Sequence, residues 1–271
     1  MIINIKTKFN KVVFTAALSA TLLSACETTT QYTSGQDYLA RYDNAPKANT
    51  LNNNSHIDNE IRSIASVEPD IRFPARIGLA RIDRGSLASV PFDEAEQWRS
   101  MAANLGPSFG DFIPVSPLIA ASVDRPKYNR HTTTFDIMSH IRKGAARQHI
   151  DYVLIYEVTR KQDKRGNALS FADASILGLF VIPSKKIDVA STASAILLDV
   201  RNGYPYLTST EFAEDSGLST SIHSRSQSEK LADKTRLKVI ANLSSEIEHG
   251  IRELQVMSYN HVINERVAEL E

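Results

Sequence analysis

The central strand of the predicted sheet reads Tyr152-Val153-Leu154-Ile155-Tyr156-Glu157-Val158. Apolar residues occupy both its odd and its even positions, so both faces of this strand are expected to be buried. That pattern is typical of a strand in the middle of a sheet that is covered by helices on each side. The rest of the chain must therefore supply helices for two faces of one sheet.

Strand and helix patterns alternate along the chain around this segment. Before the central strand come a strand at 76–82, a helix at 93–105, an edge strand at 112–118 that contains two prolines, and a helix at 135–149. After it come a strand at 187–200, an Asn202-Gly203 turn, a strand at 204–212 and an amphipathic helix from 231 to 254. This order predicts a single α/β (α+β) domain, with a mixed β-sheet of five to six strands and helices packed on it.

Composition sets the limits of that domain. Residues 26–56 are rich in Thr, Ser, Asn and Gln without apolar periodicity, which predicts a flexible, lipidated tether. The domain is expected at 57–256, beginning with a short helix at 57–64, and 257–271 is expected to be a loosely held helical tail. The Ser-rich segment 216–228 is expected to be a loop.

The first 25 residues have the layout of a secretory signal. Lys6, Lys8 and Lys11 form a positive segment, followed by a mostly apolar stretch at 12–23 that is too short to span a bilayer. The next residues, Leu23-Ser24-Ala25-Cys26, resemble a bacterial lipobox. The resemblance implies a thioether-linked diacylglycerol on Cys26 and acyl chains such as palmitate that anchor the mature protein to a membrane. A core thiol or a catalytic nucleophile does not suit a Cys in this position.

The residue after the lipobox cysteine bears on location. In bacterial lipoproteins of the enterobacterial type, Asp in this position favours retention at the inner membrane. Glu27 stands there in this chain, so the resemblance favours the outer membrane of the cell envelope, with the domain facing the periplasm.

Charge and cysteine content exclude several classes of partner. Removing the signal lowers Lys+Arg from 31 to 28 against 31 Asp+Glu, a net charge of about −3. This charge argues against nucleic acid as a partner, and no polybasic patch that could bind anionic lipid is evident along the chain. Cys26 is the single cysteine, so no internal disulfide can form.

Motifs that carry chemistry are nearly absent, so we expect no enzymatic activity, no cofactor and no metal. Ser228-Glu229-Lys230 echoes a Ser/Lys catalytic pair, but it begins a polar helix. Asp136 and His140 have the spacing of two ligands on one helix, whereas a site needs three or four. A hydrogen-bonded surface pair is the alternative. Glu211, Glu214 and Asp215 are interpreted as an exposed strand end, with a binding role as the alternative.

A second apolar run lies at residues 176–182. Its apolar members are Ile176, Leu177, Leu179, Phe180, Val181 and Ile182. It is either a buried segment of the core or an exposed hydrophobic hairpin that contacts a membrane or a partner.

One hairpin resembles a known family. Residues 195–206 place Asp199-Val200-Arg201-Asn202-Gly203 at the end of an apolar strand. This is similar to envelope lipoproteins that include the curli-secretion channel lipoprotein and relatives with a domain like the N-terminal domain of TolB. The resemblance implies a mixed-sheet domain that binds or assembles envelope components without catalysis. The channel protein builds its pore from long amphipathic hairpins, whereas this chain offers one short apolar run.

Three functions follow as hypotheses. The first is a lipid-anchored, periplasm-facing, non-catalytic module that binds or assembles envelope proteins. The second is a subunit of an oligomeric secretion-type pore, and the third is an envelope hydrolase built from scattered Ser, His and Asp residues. A homo-oligomer is compatible with the first two hypotheses.

Overall fold

The central strand lies where the sequence places it, inside a mixed sheet of seven strands. The computed structural model describes residues 27–43, 55–123, 134–166, 185–219 and 224–268. Within them the strands are β1 Glu27–Thr30, β2 Ala75–Asp83, β3 Ser86–Ala88, β4 Gly110–Pro114, β5 Tyr152–Gly166, β6 Lys185–Asp199 and β7 Pro205–Ser219. The helices are α1 Gly35–Asp43, α2 Ser55–Ala65, α3 Phe92–Leu105, α4 Pro117–Val123, α5 Thr134–Arg147 and α6 Ser224–Ala268.

The strand order is β1-β7-β6-β5-β2-β3, with β4 also paired to β2. β2 is parallel to β4 and β5, and the remaining pairs are antiparallel. β3 and β4 divide one edge of β2 between them, since β4 pairs with its first five residues and β3 with its last three. The predicted mixed α/β fold is confirmed, with seven strands rather than five to six.

Helices cover the sheet on both sides, as the apolar pattern of β5 predicts. Tyr152, Leu154 and Tyr156 lie in a core cluster with α3 and α6, whereas Val153 and Ile155 lie in a second cluster with α4 and α5. The predicted apolar face of α6 is buried in the first cluster. Its fully buried apolar members are Val239, Leu243, Ile247, Ile251 and Leu254, and Ile240 of the same helix is buried with them although it was not predicted.

Three strands run well past the rest of the sheet. β2 pairs with β5 only as far as Glu157, but β5 and β6 stay paired from Tyr152–Asp199 to Gly166–Lys185. We call the projecting part the arm: residues 158–166 of β5, 185–193 of β6 and 211–219 of β7. Fifteen residues of strand extend about 50 Å. Val189 of the arm packs against Ala232 and Leu231 of α6.

The N-terminal segment differs from the predicted tether. Glu27–Thr30 forms the edge strand β1, and Gly35–Asp43 forms α1. Side chains hold β1 in place: Thr28 Oγ1 lies 2.9 Å from Ser209 Oγ, and Thr30 Oγ1 donates to Glu253 of α6 at 2.9 Å. These bonds join residues far apart in sequence, so local composition did not reveal them. The predicted short helix at 57–64 is present as α2.

Two further expectations are corrected near the C-terminus. β7 continues to Ser219 and α6 begins at Ser224, so most of the expected Ser-rich loop is strand and helix. α6 also continues to Ala268 through the expected tail. Ser258 in this part is buried and its hydroxyl donates to the carbonyl of Ile71 at 2.7 Å, which holds the helix against the segment before β2.

Several predicted features lie outside the described residues: the signal, the lipobox with Cys26, and the apolar run 176–182. Among the helices that the structure does describe, none combines the length and the apolar character needed to cross a membrane.

Candidate functional site

A groove of about 510 Å³ lies at the end of the sheet opposite the arm. Its floor is the turn between β6 and β7, and α1 and α2 form its walls. The lining residues are Gln31, Thr33, Ser34, Gly35, Tyr38, Ile61, Ile64, Ala65, Val67, Asn202, Gly203, Tyr204 and Pro205. A volume of this size is within the range of small-ligand and side-chain binding pockets.

The floor of the groove is fixed by the Asp-Val-Arg-x-Gly sequence. The buried carboxylate of Asp199 accepts hydrogen bonds from the backbone N–H groups of Arg201 at 2.7 Å and Asn202 at 3.3 Å, and from the Arg201 guanidinium at 2.8 Å. Gly203 has φ 80°, a left-handed conformation that favours glycine. The loop spans Val200–Gly203, longer than the two-residue turn expected at Asn202-Gly203, because Asp199 pairs with Tyr204 across it.

The walls of the groove meet where α1 begins. A Cβ on Gly35 would lie 2.3 Å from the carbonyl oxygen of Ala65, so only glycine permits this approach of α1 to the end of α2. Glu68 accepts from the N–H of Gln36 at 2.8 Å, and a carboxylate at the first turn of a helix is favourable. Tyr204 donates to the carbonyl of Thr33 at 3.1 Å and joins the wall to the floor.

The rim of the groove exposes large apolar side chains. Tyr38 is 46% exposed, Ile61 48% and Ile64 69%. Single exposed apolar residues are common, but three around one concave site form a continuous apolar surface. The groove offers apolar contacts on its walls over a floor whose N–H groups are already hydrogen-bonded, which suits an apolar side chain or a short segment of a partner.

The most buried ionic cluster lies elsewhere, between β2, α3 and α6. Glu94 is fully buried and accepts from Arg81 at 3.0 Å, from the hydroxyl of Tyr156 at 2.9 Å and from Arg236 at 2.6 Å. A hydrogen bond from Arg236 holds the pKa of Asp93 below its ordinary value of 3.8. Every charge here faces an opposite charge, so the cluster joins α3 and α6 and leaves no group free for acid–base chemistry.

The residues singled out in the sequence do not meet in one place. Asp136 is exposed while His140 is buried, which corrects the expectation of a surface pair; both have interaction partners. No group of three His, Cys, Asp or Glu residues within the described ranges could hold a metal ion. Ser228 is buried near the start of α6.

The acidic residues of β7 separate as well. Glu211 is buried in the middle of the strand rather than exposed at its end, because β7 continues for eight more residues and α6 covers this face. Glu214 is exposed, and Asp215 pairs with Lys234 of α6 at 2.6 Å.

Sequence reasoning did not find the groove. Its walls come from residues interpreted as a tether and from α2, whose Ile61 and Ile64 are three apart on one face. That spacing was a signal of an apolar face, but nothing in the sequence located its partner surface at the β6–β7 turn.

Comparison with known proteins gives weak structural likeness only. No family model and no curated protein sequence matches the chain. A minor lipoprotein from Acinetobacter baumannii is 12% identical to this chain, with a TM-score of 0.34. The match covers 65% of this chain and 88% of the lipoprotein. Lipoprotein GNA1162 from Neisseria meningitidis is 18% identical to this chain, with a TM-score of 0.29. The match covers 59% of this chain and 97% of GNA1162.

A PelC dodecamer from Paraburkholderia phytofirmans is also similar in structure. Its chain is 16% identical to this one, with a TM-score of 0.27. The match covers 64% of this chain and 90% of the PelC chain. Solved structures similar to this chain therefore include lipoproteins. At these identities and TM-scores, the likeness says nothing about what this chain binds or how it assembles.

Proposed function

We propose that this protein is a lipid-anchored, non-catalytic module of the bacterial cell envelope that docks a partner protein in the groove at the β6–β7 turn. The single observation that carries the proposal is the apolar rim of Tyr38, Ile61 and Ile64 over a floor fixed by Asp199. The Asp-Val-Arg-x-Gly hairpin, which resembles the curli-secretion lipoprotein group, is the same segment that forms this floor.

The arrangement of the groove supports binding over catalysis. Among the residues that the structure describes, its lining contains no His, Cys, Asp, Glu, Lys or Arg, and general acid–base or nucleophilic catalysis usually needs at least one such group. The apolar walls supply most of the contact area for a bound segment. The floor gives the groove a fixed shape, because the N–H groups of residues 201–204 all donate within the loop.

Site-specific photocrosslinking tests the groove. A photoreactive residue at position 64 is expected to crosslink one partner of defined mass in intact cells. The same residue at Asn59 is the matched control, because Asn59 is exposed and lies about half a turn away on α2. Adding Tyr38→Ser should weaken the crosslink from position 64. Equal crosslinking from both positions, or no dependence on Tyr38, would contradict the docking role.

The anchor is tested separately. Cells given labelled palmitate should incorporate the label into the parent protein but not into Cys26→Ser. Label in both proteins, or in neither, would remove Cys26 as the lipid attachment residue. By inference from Glu27, the labelled protein should fractionate with the outer membrane.

A pore subunit is the second candidate, favoured by the length of the β5–β6 hairpin. Fifteen paired residues exceed the 9–11 or so that a membrane-spanning strand needs. The exposed Thr159 and Glu214 of the arm oppose insertion into hydrocarbon. Native mass measurement of the detergent-extracted protein distinguishes a pore subunit from a docking module. A homomeric ring favours the pore, and a heteromeric complex favours the docking module.

A further inference from the structure

The outer edge of β7 is paired with another strand for only part of its length. β1 pairs with residues 207–210, and among the residues that the structure describes no other strand lies along this edge. β7 itself continues to Ser219. The proposed processing before Cys26 removes residues 1–25, so the mature chain has no N-terminal residue that could pair with the edge beyond Glu211.

The hydrogen bond after β1 fixes which peptide groups of β7 face this edge. The N–H of Gln31 donates to the carbonyl of Tyr206 at 2.8 Å, so the peptide groups of Tyr206 point outward from β7. Hydrogen-bonding direction alternates along a strand of an antiparallel pair. Phe212 and Glu214 therefore turn their N–H and C=O groups to the same side as Tyr206, beyond the end of β1. An edge of this kind is a template for pairing with another chain.

The side chains of this stretch alternate between exposed and buried positions. Phe212 is 56% exposed and Glu214 is exposed, on the face of the sheet away from α6. Glu211 and Ala213 are buried on the face that α6 covers. A strand added at this edge would therefore meet an aromatic ring and a carboxylate on the accessible face, two residues apart.

We propose that the edge of β7 at Phe212 and Glu214 binds an extended segment of another protein, which adds a strand to the sheet in line with β1. The carboxylate of Glu214 favours a basic residue opposite it, and Phe212 favours an apolar one. A segment antiparallel to β7 meets Glu214 first, so its sequence is Lys or Arg, any residue, then an apolar residue. The inference rests on the proposed processing at Cys26 and concerns a surface other than the groove.

A second copy of this chain fits the edge poorly. Two β7 edges paired about Glu214 would place this residue opposite its own copy, and like charges in facing positions are unfavourable. β1 blocks a shift of the pairing inward at Thr210. An outward shift is limited as well, because the N–H of Ser216 already donates to the carboxylate of Asp215 at 2.9 Å. A segment of different sequence that carries a positive charge avoids these conflicts.

Photocrosslinking in intact cells tests the proposal through the sequence of the partner. A photoreactive residue at position 212 is expected to crosslink one protein, and the crosslinked peptide should contain Lys or Arg two residues before the attached residue. The same photoreactive residue at Thr208 is the matched control, since Thr208 is exposed on the same face of β7 but β1 covers its edge. Position 208 should not crosslink this protein.

Substitutions at Glu214 test the charge and the backbone separately. Glu214→Lys should reduce the crosslink from position 212 about fivefold, because an attraction is replaced by a repulsion. Changing the partner's basic residue to Glu should then restore the crosslink. Glu214→Pro removes the outward N–H and should also reduce the crosslink about fivefold, since proline is tolerated on an edge strand. If Glu214→Pro does not fold by circular dichroism, the charge exchange alone decides.

Restoration of the crosslink by the exchanged charges, with Thr208→Lys changing it by less than about twofold, supports the proposal. A crosslinked product with the mass of two copies, equal crosslinking from positions 208 and 212, or a crosslink that Glu214→Lys leaves unchanged overturns it. Failure of the exchanged charges to restore the crosslink also overturns it. Palmitate labelling reports on Cys26 independently, so a labelled chain without a crosslink from position 212 counts against this edge alone.

Discussion

Glu94 illustrates how a fully buried carboxylate is accommodated. Arg81, Tyr156 and Arg236 donate to its two oxygens, so the charge is compensated on three sides. A buried ion pair adds little stability over an apolar replacement, but removing one member leaves the other charge uncompensated. The cluster therefore makes the α3–α6 contact sensitive to single substitutions.

Arg236→Met is expected to lower the free energy of unfolding by about 3 kcal/mol or more, because Glu94 then keeps its charge with one donor fewer. Urea denaturation followed by circular dichroism measures the change. Arg99→Met is the control: Arg99 pairs with Glu96 where both side chains are more than half exposed, and its loss should cost less than about 1 kcal/mol. Equal effects of the two substitutions would contradict the role of the cluster.

Tyr152 makes stability depend on alkaline pH. Burial raises its pKa to about 12 from an ordinary value of 10.0, and its hydroxyl donates to the carbonyl of Asp70 at 2.9 Å. The folded state thus holds the proton more tightly than the unfolded state. The stabilisation is complete below pH 10 and is lost as pH rises to about 12.

Urea denaturation at several alkaline pH values should show this loss. The parent should lose stability more steeply than Tyr152→Phe, by up to about 1.4 kcal/mol per pH unit. Tyr156 and Tyr204 also have pKa values raised by burial, and they contribute equally to both proteins. The charge of Tyr152 adds to the raised pKa of Tyr206, so the substitution also makes the contribution of Tyr206 smaller. Identical slopes for parent and variant would refute the assignment to Tyr152.

Elements with strong local patterns could be predicted from the sequence, and those held by distant contacts could not. β5 and the buried face of α6 carry unbroken apolar patterns, and both are present. β1 contains Glu27-Thr28-Thr29-Thr30, with no apolar residue, and is held by side chains of β7 and α6 about 180 to 220 residues away. The groove was missed for the same reason, since α2 meets the β6–β7 turn only in three dimensions.

The contact between α4 and α5 depends on Gly144. A Cβ there would lie 2.6 Å from Ala120 Cβ and 2.9 Å from Ala120 Cα. Gly144→Ala should destabilise the protein by about 1–3 kcal/mol through overpacking, although alanine is the better helix former by about 1 kcal/mol. Thermal and urea unfolding show whether Gly144→Ala lowers or raises the stability of the protein. The double variant with Ala120→Gly should recover part of the loss, and a stabilised single variant would show that the helices can separate freely.

The whole molecule divides into a domain with two packed faces and an arm that adds little to either core. Among the residues of the arm, Ala193 and Ala213 are buried in the main cluster, and Val158 packs against it. The small cluster of Val189 and Ala232 is separate from both. Folding of the domain should therefore depend little on the outer part of the arm.

Replacing residues 161–190 with Asn-Gly tests this division. Arg160 and Ser191 are register partners, so a two-residue turn can join them. The shortened chain should keep the fold and lose only about 1–3 kcal/mol, mainly the contact of Val189 with α6. Circular dichroism and urea denaturation measure this. Loss of cooperative unfolding would mean that the arm is part of the folding unit.

Glu27 belongs to the sheet edge and directly follows the cysteine expected to carry lipid. With a lipid on Cys26, no linker residues would separate the anchor from the sheet, so the domain could not sample a wide volume as a domain on a long linker does. Gln31, at the groove, is five residues from Cys26, which corresponds to about 16 Å of strand. With the lipid that we propose on Cys26, the groove would stay within this distance of the bilayer, so only partners that reach close to the membrane could occupy it.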